Sequence, residues 1–232
     1  MKKKTYYLLA FVCVFSFISC SDDDDTTIDE GESTGDYFPL ASNNNWDMED
    51  ESGNEQSLTL SSTEEFNGNT YYMTDASVLS AATGSDIATA EMGFRKSGAT
   101  YYSYIKESEI DYYGYSFSNE PFEYMYFQDD MEVGETMEND ISVSTTGDTP
   151  VGETTLSINL SIITTMEQKD VALTVNGTAY ENVIVLRTDA TASLAGEELQ
   201  SITTYAYFAD QIGVIKTESS SNTYELISYQ LY

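Results

Sequence analysis

Val171-Ala172-Leu173-Thr174-Val175-Asn176-Gly177-Thr178-Ala179-Tyr180-Glu181-Asn182-Val183-Ile184-Val185-Leu186-Arg187-Thr188 is the stretch that decides the fold. An Asn-Gly pair sits between two runs rich in Val, Ile, Thr and Tyr. The tightest hairpin turn needs positive φ at both central residues, and Asn and Gly reach it at least cost. Upstream, Thr154 to Met166 alternates strictly: Leu156, Ile158, Leu160 and Ile162 fall on one face, and Ser157, Asn159 and Ser161 on the other. Both stretches read as antiparallel β-structure with one apolar face.

The same grammar extends in both directions. Asn67-Gly68-Asn69 turns Gln56–Ser62 into Thr70–Thr74, and Ser97-Gly98 turns Glu91–Lys96 into Thr100–Lys106. Tyr112–Phe117 and Phe122–Phe127 flank Pro121, and Leu199–Ala209, Gly213–Ser219 and Thr223–Tyr232 finish the chain. Connections this short imply antiparallel pairing. The sequence predicts an all-β domain, a single curved antiparallel sheet closing into a barrel or half-barrel of about ten or eleven strands, with a β-sandwich as the alternative. Asp129–Gly152, acidic and broken by glycines and Pro150, reads as a loop-rich excursion around a short strand at Ile141–Ser144. Ala81-Ala82 and Ile87–Ala90 read as a short helix.

The first residues follow a different logic. Lys2, Lys3 and Lys4 precede Tyr6–Ile18, an uncharged apolar run too short to span a bilayer. Phe17-Ile18-Ser19-Cys20 resembles the lipobox of bacterial lipoprotein signal peptides. The resemblance implies cleavage before Cys20, a diacylglycerol thioether on its sulfur and an acylated new N-terminus, more than enough chains for stable anchoring. The expected organisation is therefore a signal peptide at 1–19, lipidated Cys20 with an acidic disordered tether at 20–35, and the β domain at 36–232. Ser21-Asp22-Asp23-Asp24-Asp25 reads physically as a solvated, self-repelling tether. It also resembles the surface-export signal of Bacteroidota lipoproteins, which implies the outer membrane and its outer face in preference to the periplasmic one.

Three further patches look like a family of uncharacterised Bacteroidota lipoproteins. They are Asp36-Tyr37-Phe38-Pro39-Leu40 with Asn43–Asn45 and Trp46, then Leu173–Gly177 with Tyr180–Val185, and Tyr207–Lys216 with Tyr224-Glu225-Leu226 behind it. This chain departs from the family at Asn45, where Gly is common, and at Asp47-Met48-Glu49, where aromatic residues are usual. The resemblance implies a barrel-like envelope domain and no activity. In physical terms Pro39 fixes φ where the tether meets the domain, Trp46 is expected to plug the core, and Gly213 marks a bulge or tight corner.

Composition removes several function classes. Forty Asp and Glu against nine Lys and Arg give a net charge of −31. Such a chain does not neutralise nucleic-acid phosphates or adsorb to anionic lipid, so the expected membrane partner is the lipid anchor alone. Three of the nine cations lie in the leader; Lys216 is among the rest and is expected to pair with carboxylates. Cys13 also lies in the leader, which leaves Cys20 alone, so no disulfide supports the expected monomer.

The chain has no histidine, which excludes the usual Ser-His-Asp and Cys-His machinery and the common zinc ligands. No Gly-rich phosphate loop and no G-x-S-x-G elbow occurs. Carboxylate-based hydrolysis survives only because forty acids guarantee some pair. The sequence predicts no enzyme activity and no cofactor. Calcium is the one ion its oxygen ligands suit, with Asp129, Asp130 and Glu132 before Gly134 as candidates beside the plainer reading of a solvated loop. Tyrosines crowd the middle strands, and alternation sends some to each face. Tyr102, Tyr113, Tyr115 and Tyr124 are the expected ligand-facing set, able to stack on sugar rings or hold an apolar ligand. The leading expectation is a non-catalytic binding module for an apolar or glycan ligand. A structural or interaction subunit of an envelope protein assembly is the alternative, and a carboxylate hydrolase the second alternative.

Overall fold

The computed structural model describes residues 30–74, 88–89, 91–107, 109–112, 115–150 and 152–232. All regular structure among them is β. The strands are β1 (Asn45–Asp50), β2 (Glu55–Phe66), β3 (Asn69–Thr74), β4 (Ala88–Thr89), β5 (Met92–Ser97), β6 (Thr100–Ile105), β7 (Glu109–Tyr112) and β8 (Tyr115–Asn119). Then follow β9 (Phe122–Gln128), β10 (Thr136–Thr149), β11 (Gly152–Val175), β12 (Thr178–Leu194), β13 (Glu197–Ala209), β14 (Gly213–Ser219) and β15 (Thr223–Gln230). They form one antiparallel sheet in the order β4-β7-β8-β10-β11-β12-β13-β14-β15-β1-β2-β3-β5-β6-β9.

The deciding hairpin forms as its residues dictate. Asn176 and Gly177 take φ of 45° and 76°, and Val175 pairs with Thr178. The strands around it are longer than expected. Thr154–Met166 and Val171–Val175 are one strand, β11, carried through register shifts between Met166 and Leu173 with Asp170 at positive φ. Bulges of this kind bend a strand without ending it. They bring the hairpin tip to β15, where the Asn176 amide donates to Glu225 at 3.2 Å.

The sheet folds on itself at β2, whose first half pairs with β1 and whose second half pairs with β3. Its two halves enclose the main core. Phe208, Ile184, Leu186, Ile215 and Trp46 come from one side, and Phe94, Tyr101 and Phe127 from the other. Phe38 lies between them, 5.0 Å from Phe94, 5.1 Å from Trp46 and 5.9 Å from Phe208. Trp46 is fully buried and donates from Nε1 to the Ile212 carbonyl at 2.6 Å.

The end strands β4 and β9 do not pair, so no continuous backbone ladder closes the sheet. β9 nevertheless meets β10 through one side chain. The Asn139 amide accepts from the Met125 N–H at 3.1 Å and donates to its carbonyl at 2.9 Å, in place of a neighbouring backbone. The half-barrel expectation stands, with fifteen strands among the described residues rather than about ten or eleven.

Three local expectations are corrected. Within Asp129–Gly152 the expected strand at Ile141–Ser144 forms but is far longer, because β10 pairs with β11 from Thr136↔Thr165 to Thr149↔Gly152 and leaves only residues 129–135 irregular before it. Its alternating polar side chains occupy a solvent face rather than signalling irregular structure. Ala88–Thr89 is strand rather than helix, and the remainder of that predicted helix lies outside the described residues. Glu30–Gly35, expected in the disordered tether, is hydrogen-bonded to the domain. Cys20 and the rest of the tether lie outside the described residues.

Candidate functional site

Alternation decides what each aromatic strand presents. On β6, Tyr101 and Ser103 point between the two halves of the sheet, and Tyr102 and Tyr104 point outward. The outward set joins Tyr71 and Met73 in a second buried cluster, with Phe66 and Met125 against it. Gly93 opens the space, since a Cβ there would sit 2.6 Å from the Met73 sulfur and 3.0 Å from Tyr71.

Long charged side chains roof this outer cluster. The Arg95 guanidinium carbon lies 3.5 Å from the Tyr102 ring centroid, and Nε donates to the Tyr71 hydroxyl at 2.9 Å and to Glu123 at 3.0 Å. Lys106 spans Glu64 at 2.8 Å and Glu91 at 3.0 Å, and these hydrogen bonds raise its pKa. The ring face on which a ligand would stack is already taken by a desolvated cation, an arrangement worth about 1–2 kcal/mol.

Of the expected tyrosines, Tyr102 and Tyr124 lie on opposite faces of the sheet. Tyr102 lies outward under Arg95. Tyr124 pairs with Ser103 across β6 and β9, on the opposite face of the sheet. Tyr115 is half-buried at the start of β8, and Tyr113 lies outside the described residues.

The inward face holds the more open chemistry. Burial pushes the Tyr124 phenol above its ordinary pKa, with the Ser103 hydroxyl a smaller opposing influence. Tyr126, 6.1 Å from Phe94 and 6.2 Å from Phe208, is also pushed up, by burial first and then by Tyr124. Both tyrosines keep partial solvent access. The Ser103 hydroxyl is fully buried and has no hydrogen-bond partner within bonding distance.

Facing them is the apolar side of the long strands. Register fixes its composition: Ile158 stands between Val143 and Leu194, Leu160 between Ile141 and Ala192, and Ile162 between Asn139 and Ala190. Ile202 extends this side from β13. It continues the core face on which Met137, Met166, Leu186 and Phe208 are buried. Beyond Ile162, Val143 and Thr145 of β10 and Phe117 of β8 stay buried on this face, while Leu156, Ile158 and Leu160 of β11 and Ala192 and Leu194 of β12 are partly exposed. The reverse side carries a ladder of hydroxyls, with Ser142 and Ser157 at 2.8 Å, Thr146 and Thr155 at 3.2 Å, and Thr191 and Ser201 at 3.2 Å. The sequence showed this alternation but gave no sign that the apolar side outruns the main core.

A second constellation lies at the other end of the domain. The Asp129 side chain is fully buried; it accepts from the Thr34 amide at 2.7 Å and the Ser33 hydroxyl at 2.9 Å, and pairs with Lys96 at 3.0 Å. Ala99 N–H donates to the Glu30 carbonyl at 2.7 Å, and Asp36 N–H to Asp210 at 2.7 Å. Lys96 Nζ also lies 2.9 Å from Ser33 Oγ, the spacing of a serine–lysine pair. Its donors already serve Ser33, Gly35 and Asp129, so no lone pair is left to take the serine proton. The constellation is a clamp on the N-terminal segment. Of the expected calcium ligands, the Asp129 carboxylate turns inward to Lys96. No group of three or more potential acidic or cysteine ligands converges among the described residues.

Comparison with known proteins adds little beyond the outline. No family model matches the chain, and no curated protein matches it. Among solved structures, a crystal structure from Parabacteroides distasonis, described as a candidate lipoprotein, superposes with a TM-score of 0.42. The two share 10% identity over 86% of this chain and 100% of that one.

Proposed function

We propose that this chain is a lipid-anchored envelope protein of the outer membrane that holds an apolar ligand, without catalysis, against the distal part of its half-barrel. Cys20 carries the anchor, and the acidic residues after it direct the protein to the cell surface. The observation that carries the ligand reading is the aliphatic strip of β11 and β12 running past the main core with its side chains partly exposed. Completing the burial of each such side chain is worth about 1 kcal/mol, so a ligand covering all five gains about 5 kcal/mol from them, to which burial of its own apolar surface adds. Partly exposed Tyr124 and Tyr126 offer a few polar contacts among apolar surface, the composition of a small-molecule site. The occupied face of Tyr102 argues against sugar stacking there.

Native mass spectrometry of the mature lipoprotein, residues 20–232, extracted gently in detergent from envelopes of the producing cell, tests the reading. A bound species of defined mass is expected, lost in the Leu160→Asp variant. A bare mass that does not change on incubation with envelope lipid extract would refute it.

A further inference from the structure

We infer that the strip accepts only uncharged apolar molecules and rejects those with a carboxylate or phosphate head. The inference rests on the apolar-ligand reading above and adds the chemistry of the head group. It follows from where the cations are. Outside the leader the chain has six, namely Arg95, Lys96, Lys106, Lys169, Arg187 and Lys216. Arg95 is held by Glu123, Lys96 by Asp129, and Lys106 by Glu64 and Glu91. Arg187 pairs with Glu167 and Asp189, and Lys216 with Glu218 and Glu225. Lys169 donates to the Met131 carbonyl at 3.0 Å.

None of the six stands on the apolar side of β10–β13 between Thr164 and the strand tips. Arg187 pairs across the ladder with Thr165 and Tyr205, on the hydroxyl side. The one ionisable residue on the apolar side of this stretch is Glu197, opposite Leu194 at the tip. An anionic head group would thus enter a low-dielectric strip with no counter-charge, in the field of a chain carrying −31. A hydroxyl or ester head meets no such penalty and finds the partly exposed phenols of Tyr124 and Tyr126 on the facing wall. Asn139, on the same side as Ile162, bonds to Met125 and so places Tyr124 beside the strip. The occupant the structure assigns is an uncharged lipid, a long-chain alcohol or an acylglycerol.

A matched pair tests this: hexadecanol and hexadecanoate, each titrated at pH 8 and sub-micellar concentration into residues 21–232 and followed by methyl NMR. The alcohol is expected to bind roughly tenfold or more tightly than the acid anion, a gap of about 1.4 kcal/mol or greater. An Ala192→Lys variant, which sets a cation between Leu160 and Gln200, is expected to close that gap. Equal binding of both by the unaltered protein would overturn the inference and leave the apolar-ligand reading standing. An unchanged gap in Ala192→Lys would show that the missing cation is not its cause and overturn the inference too. Binding of neither molecule would bring down both readings.

Discussion

Two residues show how single side chains hold the domain. Asp129 is a fully buried carboxylate whose charge is answered by Lys96 and by donors from Ser33 and Thr34. Removing one partner of a buried pair leaves the other uncompensated. Asp129→Ala is expected to cost about 3 kcal/mol in denaturant unfolding, as for other broken buried pairs. It is also expected to open residues 30–36 to proteases, and a resistant segment in that variant would show that the clamp does not hold it. Gly213 stands at φ 102°, and a Cβ there would lie 2.7–2.9 Å from the Trp46 indole. Gly213→Ala is expected to destabilise by about 2 kcal/mol with a blue-to-red shift of the single tryptophan's emission. The sequence placed Trp46 in the core and marked Gly213 as a corner. It could not show that each requires the other, because the contact joins β1 to the start of β14.

Among the elements, the seam between β9 and β10 hangs on Asn139. Asn139→Ala leaves the Met125 N–H and carbonyl without their partner, a loss of about 1–3 kcal/mol for buried groups. Hydrogen exchange at the Met125 amide is expected to accelerate in that variant, while exchange within the β11–β12 ladder stays slow. The strands themselves were legible where alternation was clean, as in Leu156–Ile162 and the Asn176-Gly177 turn. Most of β10 was hidden because Asp140, Ser142, Ser144 and Thr146 put polar residues on its solvent side and glycine interrupts it, so composition imitated a loop. The clamp was invisible for another reason. Ser33 and Thr34 look like ordinary tether residues until Asp129, 95 positions on from Thr34, is folded against them. The tyrosine set divided because a bulge between Tyr101 and Tyr102 shifts the β6–β9 register, and local spacing carries no sign of it.

For the whole molecule, charge and phenols set the response to solution conditions. Burial first, then the Asp170, Asp210 and Asp129 carboxylates, push the Tyr37 phenol up to about 12. Burial likewise raises Tyr101, Tyr126 and Tyr207. These groups are neutral in the fold and would ionise near pH 10 in the unfolded chain. Their stabilisation is complete below about pH 10 and is lost as pH rises through the higher folded values. Thermal unfolding followed across pH 9–12 is expected to show a steep fall with phenolate absorbance appearing only on unfolding. At the acid end, hydrogen bonds from Ser57 and then Ser228 hold the Asp47 carboxyl below its usual range. That contribution is present above about pH 4 and is lost as pH falls through the folded value.

The central claim is that the aliphatic strip beyond the main core is a site for an uncharged apolar ligand. The most direct measurement is a methyl NMR footprint of a neutral probe, N-phenyl-1-naphthylamine, titrated into residues 21–232. Saturable shifts are predicted at the methyl groups of Leu156, Ile158, Leu160 and Ile162, with those of Ile184 and Leu186 in the packed core unmoved. Shifts confined to other surfaces, or none that saturate, would contradict the account.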